Sequence, residues 1–180
     1  LRMNTETYYR LLNWGLRLAA GAGSSTGAKQ TPVGYNRAYV RVPSDATLAQ
    51  FNDACANGKN FVTNGPMVFL KVGENHRPGD TIQVPSGGKR IRVLAEAVSA
   101  QPIESLEIVV NGRVVHSMAG NDRSTLTLDV PVHVVQGSWI AARCVARDDH
   151  LSDAVLARYK RESSLGEVPS RIRFAHTSPV

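Results

Sequence analysis

The residues most able to do chemistry sit in a glycine-rich word and at the far end of the chain. Gly23-Ser24-Ser25-Thr26-Gly27 fits the G-x-S-x-G pattern, and Asp153 and His176 follow it in the chain order of a serine-hydrolase triad. Ser25 would be the nucleophile, His176 its base and Asp153 the group that orients the histidine. That chemistry needs a strand-to-helix elbow, and Ala28-Lys29-Gln30-Thr31-Pro32-Val33-Gly34 carries no helical period. The same gap weakens a nucleotide reading of Gly21-x-Gly23-x-x-x-Gly27, whose glycines would have to open a helix that holds the pyrophosphate. A P-loop is missed too, because Lys29 does not directly follow a glycine. The catalytic candidates are therefore Ser25 and His176 alone, and no cofactor-binding motif is complete.

Metal ligation finds less support. None of the five histidines, His76, His116, His133, His150 and His176, stands at ligand spacing from a second histidine or a carboxylate on a recognisable helix. Cys55 and Cys144 are too few for a disulfide framework or a zinc site. Cys144 alternates with Ile140 and Ala142, as a small buried hydrophobe would. The net charge of +6 comes from arginines scattered from Arg10 to Arg173. The densest basic word, Arg158-Tyr159-Lys160-Arg161, lies beside Asp148, Asp149, Asp153 and Glu162, which argues against a nucleic-acid footprint. No apolar run is long enough to span a bilayer, and no signal peptide opens the chain. The compartment stays open: the chain is expected to be soluble, and a secreted or periplasmic location is an alternative for a full-length parent.

The elements around these residues change character along the 180 positions. Residues 1–65 read as α/β. Tyr8, Leu11, Leu12 and Gly15 follow helical spacing, residues 16–20 look strand-like, and residues 37–42 give a second strand. Ser44 and Asp45 are expected to cap a helix that carries Leu48, Phe51 and Cys55 on one side and stops at Gly58. Asn60-Phe61-Val62-Thr63 is strand-like and Asn64-Gly65-Pro66 is a turn.

Residues 66–180 switch to a period of two. Ile91, Val93, Ala95 and Ala97 alternate with other residues, as do Leu126, Leu128 and Val130, and then Ile140, Ala142, Cys144 and Ala146. Asn111-Gly112 joins Leu106-Glu107-Ile108-Val109-Val110 to Arg113-Val114-Val115-His116, a tight hairpin signal. Short strands at this spacing predict a mainly β chain, an immunoglobulin-like antiparallel β-sandwich preceded by a small α/β segment. Residues 147–170 are expected to be a long charged insertion.

Several words resemble the closing part of the CehA/McbA-type (carbaryl-hydrolase-like) metallohydrolases of the polymerase and histidinol phosphatase (PHP) superfamily. They are Leu11-Leu12-Asn13-Trp14-Gly15-Leu16-Arg17-Leu18, Pro32-Val33-Gly34-Tyr35-Asn36-Arg37-Ala38-Tyr39-Val40, Gly58-Lys59-Asn60-Phe61-Val62-Thr63-Asn64-Gly65-Pro66 and Phe174-Ala175-His176-Thr177-Ser178-Pro179-Val180. The resemblance implies that residues 1–65 are the end of a PHP-like barrel and that a sandwich follows. It also implies a C-terminal fragment of a metal-dependent hydrolase, as a chain opening on Leu1 would fit. The superfamily pattern Gly-Ser-Asp-x-His would place metal ligands at positions 25 and 27, where this chain has Ser25 and Gly27. A serine hydroxyl is a far poorer ligand than a carboxylate. The expectation is therefore a non-catalytic accessory module without a metal of its own, the divalent ion belonging to the full-length parent. A cut barrel edge further predicts a homo-oligomer formed through residues 1–64. The alternatives are a free-standing β-sandwich binding module for carbohydrate or protein and, third, a serine hydrolase using Ser25.

Overall fold

The computed structural model describes residues 2–26, 33–147, 157 and 172–180. Two antiparallel sheets face each other. The elements run α1 (Arg2–Asn13), β1 (Arg37–Val40), α2 (Leu48–Ala56), β2 (Asn60–Thr63), β3 (Met67–Val72), β4 (Lys89–Val98), β5 (Ile103–Val110), β6 (Arg113–Ala119), β7 (Thr125–Val134), β8 (Ile140–Arg147) and β9 (Ile172–Thr177). One sheet has the order β1-β2-β9-β8-β5-β6 and the other β3-β4-β7. The chain is thus mainly β, as the period-two runs predict. The insertion expected at residues 147–170, with Asp153 and the basic word at 158–161, lies almost wholly outside the described residues, as does Gly27.

The core follows the alternation. Ile91, Val93, Ala95 and Ala97 of β4 are buried, and Arg90, Arg92 and Glu96 between them are exposed. Leu126, Leu128, Val132 and Val134 of β7 and Val68, Leu70 and Val72 of β3 complete that inner face. The large sheet contributes Phe61, Ile103, Leu106, Ile108, Ile140, Ala142, Cys144, Ala146 and Ala175. Each large side chain sealed here contributes on the order of 2 kcal/mol. Burial also pushes the Cys144 thiol up to about 12, which leaves it inert. At the predicted hairpin, Val110 pairs with Arg113 across Asn111 (φ 49°) and Gly112 (φ 81°). Two central residues with positive φ are what a two-residue hairpin turn of matching twist requires.

Strands β5 and β8 depart from simple alternation. Val109 and Ala141, which face away from the core, are fully buried as well. Helix α1 lies over them, and Tyr9, Leu12 and Trp139 close a second apolar cluster with this pair. The expected helical stripe is therefore shifted: Tyr9 and Leu12 carry the contact, with Tyr8 only partly buried beside them. Gly15 (φ 85°) ends the turn after the helix, where a stop is expected.

Two expectations for residues 1–65 need correction, the strand at 16–20 and the cap of α2. Residues 16–20 belong to no strand. Their neighbours are side chains that imitate a ladder: Ser178 Oγ accepts the Ala20 N–H (2.8 Å), Asn60 Nδ2 donates to Ala20 O (2.9 Å), and Tyr8 OH donates to Leu18 O (2.8 Å). The cap of α2 is Thr47, neither Ser44 nor Asp45. Its hydroxyl accepts the Gln50 N–H (3.3 Å), while Gln50 Oε1 accepts the Thr47 N–H (2.8 Å), a reciprocal box that sets the first turn. The apolar side of α2 also faces outward: Leu48 is 76% and Phe51 41% exposed, and Ala54 makes the buried contact. Finally, β2 pairs directly with β9, so residues 60–63 share a sheet with the last strand of the chain.

Candidate functional site

The register of the large sheet brings one polar row together. Val62 of β2 stands opposite His176 of β9, His176 opposite Arg143 of β8, and Arg143 opposite Glu107 of β5. Partners in register share a face, and this face is the one away from the core. Helix α1 roofs the row with Tyr8 and Tyr9. The Tyr9 ring lies 5.5 Å from the imidazole and 5.0 Å from the Trp139 ring, and the Tyr8 ring meets the imidazole edge-on at 6.1 Å. Phe174, two residues before His176 on the same strand face, adds a contact at 6.0 Å.

His176 is only 3% exposed, and both ring nitrogens are engaged. Nδ1 lies 2.5 Å from Thr177 O, and Nε2 lies 2.7 Å from the Tyr9 hydroxyl. A carbonyl can only accept, so Nδ1 carries the proton and Nε2 accepts from Tyr9 O–H. The geometry thus selects one neutral tautomer. Burial lowers the His176 pKa to about 4, the Thr177 carbonyl opposes that shift, and the Arg143 charge adds to it. Burial likewise raises the Tyr9 phenol, with Arg143 opposing, and raises the Tyr8 phenol well above its ordinary range.

Arg143 and Glu107 form a half-buried ion pair through Nε and Oε2. Burial works against the guanidinium charge, but the Glu107 hydrogen bond and the nearby Tyr9 oxygen outweigh it, so its pKa is raised. A charge held in this way positions a ring; it does not shuttle protons. Two positions along, Ser178 Oγ donates to Asn60 Oδ1, and Ser178 N–H donates to Asn60 O (2.9 Å). Arg143, His176, Ser178 and Asn60 therefore line up beneath residues 8–20 and bind them to the sheet.

Ser25 lies exposed in its loop with a φ of 52°. Neither nitrogen of His176 serves it, since Tyr9 and Thr177 take both. Among the described residues no group of three or more His, Cys, Asp or Glu side chains could hold a metal ion. His116 is half-buried on β6 and His133 exposed on β7, as surface decoration of strands. Sequence reasoning singled out His176 but missed Tyr9, Arg143 and Glu107. One signal was available for Arg143: if Ala142 and Cys144 face the core, Arg143 must face the other way.

No family model, no curated protein and no solved structure matches this chain.

Proposed function

We propose that this chain is a non-catalytic β-sandwich module of a PHP-like metal-dependent hydrolase homologue, and that it assembles with other copies through residues 1–64. One observation carries the first half. The imidazole that could act as a base spends both nitrogens on the Tyr9 hydroxyl and the Thr177 carbonyl, sealed beneath α1. A working base needs a free lone pair within reach of a proton in a substrate. The sequence words that resemble the family's support the parentage, and Ser25 where the family pattern has a ligand carboxylate supports the lack of a metal of its own.

Tag-free protein exposed to zinc, manganese or iron salts and then desalted is expected to hold no stoichiometric metal and to hydrolyse no phosphoester, ester or carbamate. About one tightly held ion per chain, or turnover lost on metal removal, would overturn this reading.

The assembly half rests on where the exposed apolar side chains lie. Leu48 and Phe51 present the outer side of α2, and Tyr39 stands exposed on the edge strand β1. An unpaired strand edge next to an apolar helix side is the kind of surface a second copy covers. Light scattering at micromolar concentration should report a dimer or larger species, and Leu48→Glu with Phe51→Glu should convert it to monomer. A wild-type chain that is already monomeric would sink the idea.

A further inference from the structure

A cleft of about 610 Å3 opens at one end of the sandwich, and Leu12 and Trp139 of the α1 cluster belong to its lining. Its volume falls in the range of small-molecule sites. One wall is formed by residues 15–19, the other by residues 79–84, and the floor by residues 134–140 with Val180. Both walls are firmly built. The first is pinned at Leu18 O by Tyr8 and at Ala20 by Ser178 and Asn60. The second is tied down by Gly79, whose N–H donates to Pro179 O (2.9 Å) and whose Cα packs so closely on Asn57 that an added Cβ would lie 2.4 Å from Asn57 O.

The chemistry of the lining is asymmetric. Leu16, Leu18 and Val135 are exposed large hydrophobics that rim the same opening, with Ile82 and Val84 beside them. Only two lining side chains are charged, Arg17 and Asp80. Asp80 is already engaged, near the Arg41 guanidinium (3.7 Å) and accepting the Arg77 N–H (2.8 Å). Arg17 has no ion-pair partner among the described residues. The remaining polar side chains, Asn57, Thr81, Gln83, Gln136, Ser138 and the Trp139 indole, are neutral. A cleft whose lining is about half apolar, with one unpaired guanidinium at its edge, complements an amphipathic body that carries one negative charge.

We propose that this cleft binds a small amphipathic monoanion, its hydrocarbon body between Leu16, Leu18, Ile82, Val84 and Val135 and its anionic head on Arg17. The lining meets the α1 cluster at Leu12 and Trp139 but holds none of His176, Arg143 and Glu107, and it requires no catalysis, so the site stands whether or not the chain belongs to a larger hydrolase. The anion supplies orientation and the hydrocarbon most of the affinity, because a solvent-exposed charge pair contributes little.

Fluorescence titration with 1-anilinonaphthalene-8-sulfonate tests it, with N-phenyl-1-naphthylamine as the probe that lacks the charge. Saturable binding near one per chain is expected for the sulfonate. Arg17→Gln should weaken the sulfonate about fivefold and leave the neutral probe unchanged. Val135→Asp should weaken both about tenfold. Val115→Asp, on exposed β6 away from the cleft, should change neither, and circular dichroism confirms that each variant is folded. Non-saturable binding, or a sulfonate affinity unmoved by Arg17→Gln or by Val135→Asp, overturns the proposal.

Discussion

The unfolding free energy is expected to fall by about 3 kcal/mol as the pH drops from 7.5 to 4, and His176→Gln to remove that fall. The cause is a proton that the unfolded chain binds and the folded chain refuses. An unfolded histidine titrates near 6.5, whereas burial under Tyr8 and Tyr9 holds His176 near 4. Between those values the unfolded state carries more protons, so stability is complete above pH 6.5 and drains away toward pH 4. Protonation would also reverse the Tyr9 hydrogen bond: the phenol oxygen would then face the imidazolium as well as Arg143. At pH 7.5 the Gln variant should cost about 2 kcal/mol, since one buried hydrogen bond is lost or distorted. Urea unfolding at a series of pH values checks both. Parallel curves for wild type and variant would show that His176 does not titrate as argued.

The second large effect is Gly120→Ala, expected to cost more than about 4 kcal/mol or to abolish cooperative unfolding. An added Cβ at Gly120 would lie 1.5 Å from the Ile103 carbonyl oxygen and 2.5 Å from its carbon, closer than any packing allows. The obstacle is backbone, so no side chain can swing away. The surrounding bonds are equally fixed: Gly120 N–H donates to Glu104 O (2.9 Å), and Ile103 N–H donates to Arg123 O (2.8 Å). Relief would have to pull the start of β5 out of the core, where Ile103 is among the largest fully buried side chains. Gly87→Ala is the matched control, because nothing lies within 4 Å of its added Cβ. That variant should stay within about 0.5 kcal/mol of wild type. A Gly120→Ala protein as stable as the control would contradict the packing described.

Strands β4 and β7 were legible because each side faces one environment, so the side-chain period of two passes straight into the sequence. The Asn111-Gly112 turn was legible for a local reason too, namely the positive φ that those two residues tolerate. Residues 16–20 misled because an apolar alternating run reads as a strand, whatever supplies its hydrogen bonds. Here Ser178 and Asn60 supply them, from positions 158 and 40 residues away. The outward exposure of Leu48 and Phe51 on α2 was not legible, since an apolar stripe states what a helix can bury but not what is present to bury it. His176 could be singled out by its position at a strand end. Its partner Tyr9 lies 167 residues earlier, and only the folded sheet brings the two together.

The central claim is that His176 is a neutral clasp between sheet and helix, and the ring itself reports it. Nitrogen-detected NMR of the imidazole should show one tautomer, protonated at Nδ1, unchanged from pH 8 to about 5 and titrating only near 4. Tyr9→Phe should leave Nε2 without its donor and shift that nitrogen alone. An imidazole that titrates near its ordinary 6.5, or exchanges between tautomers at neutral pH, would contradict the account and return His176 to the candidates for catalysis.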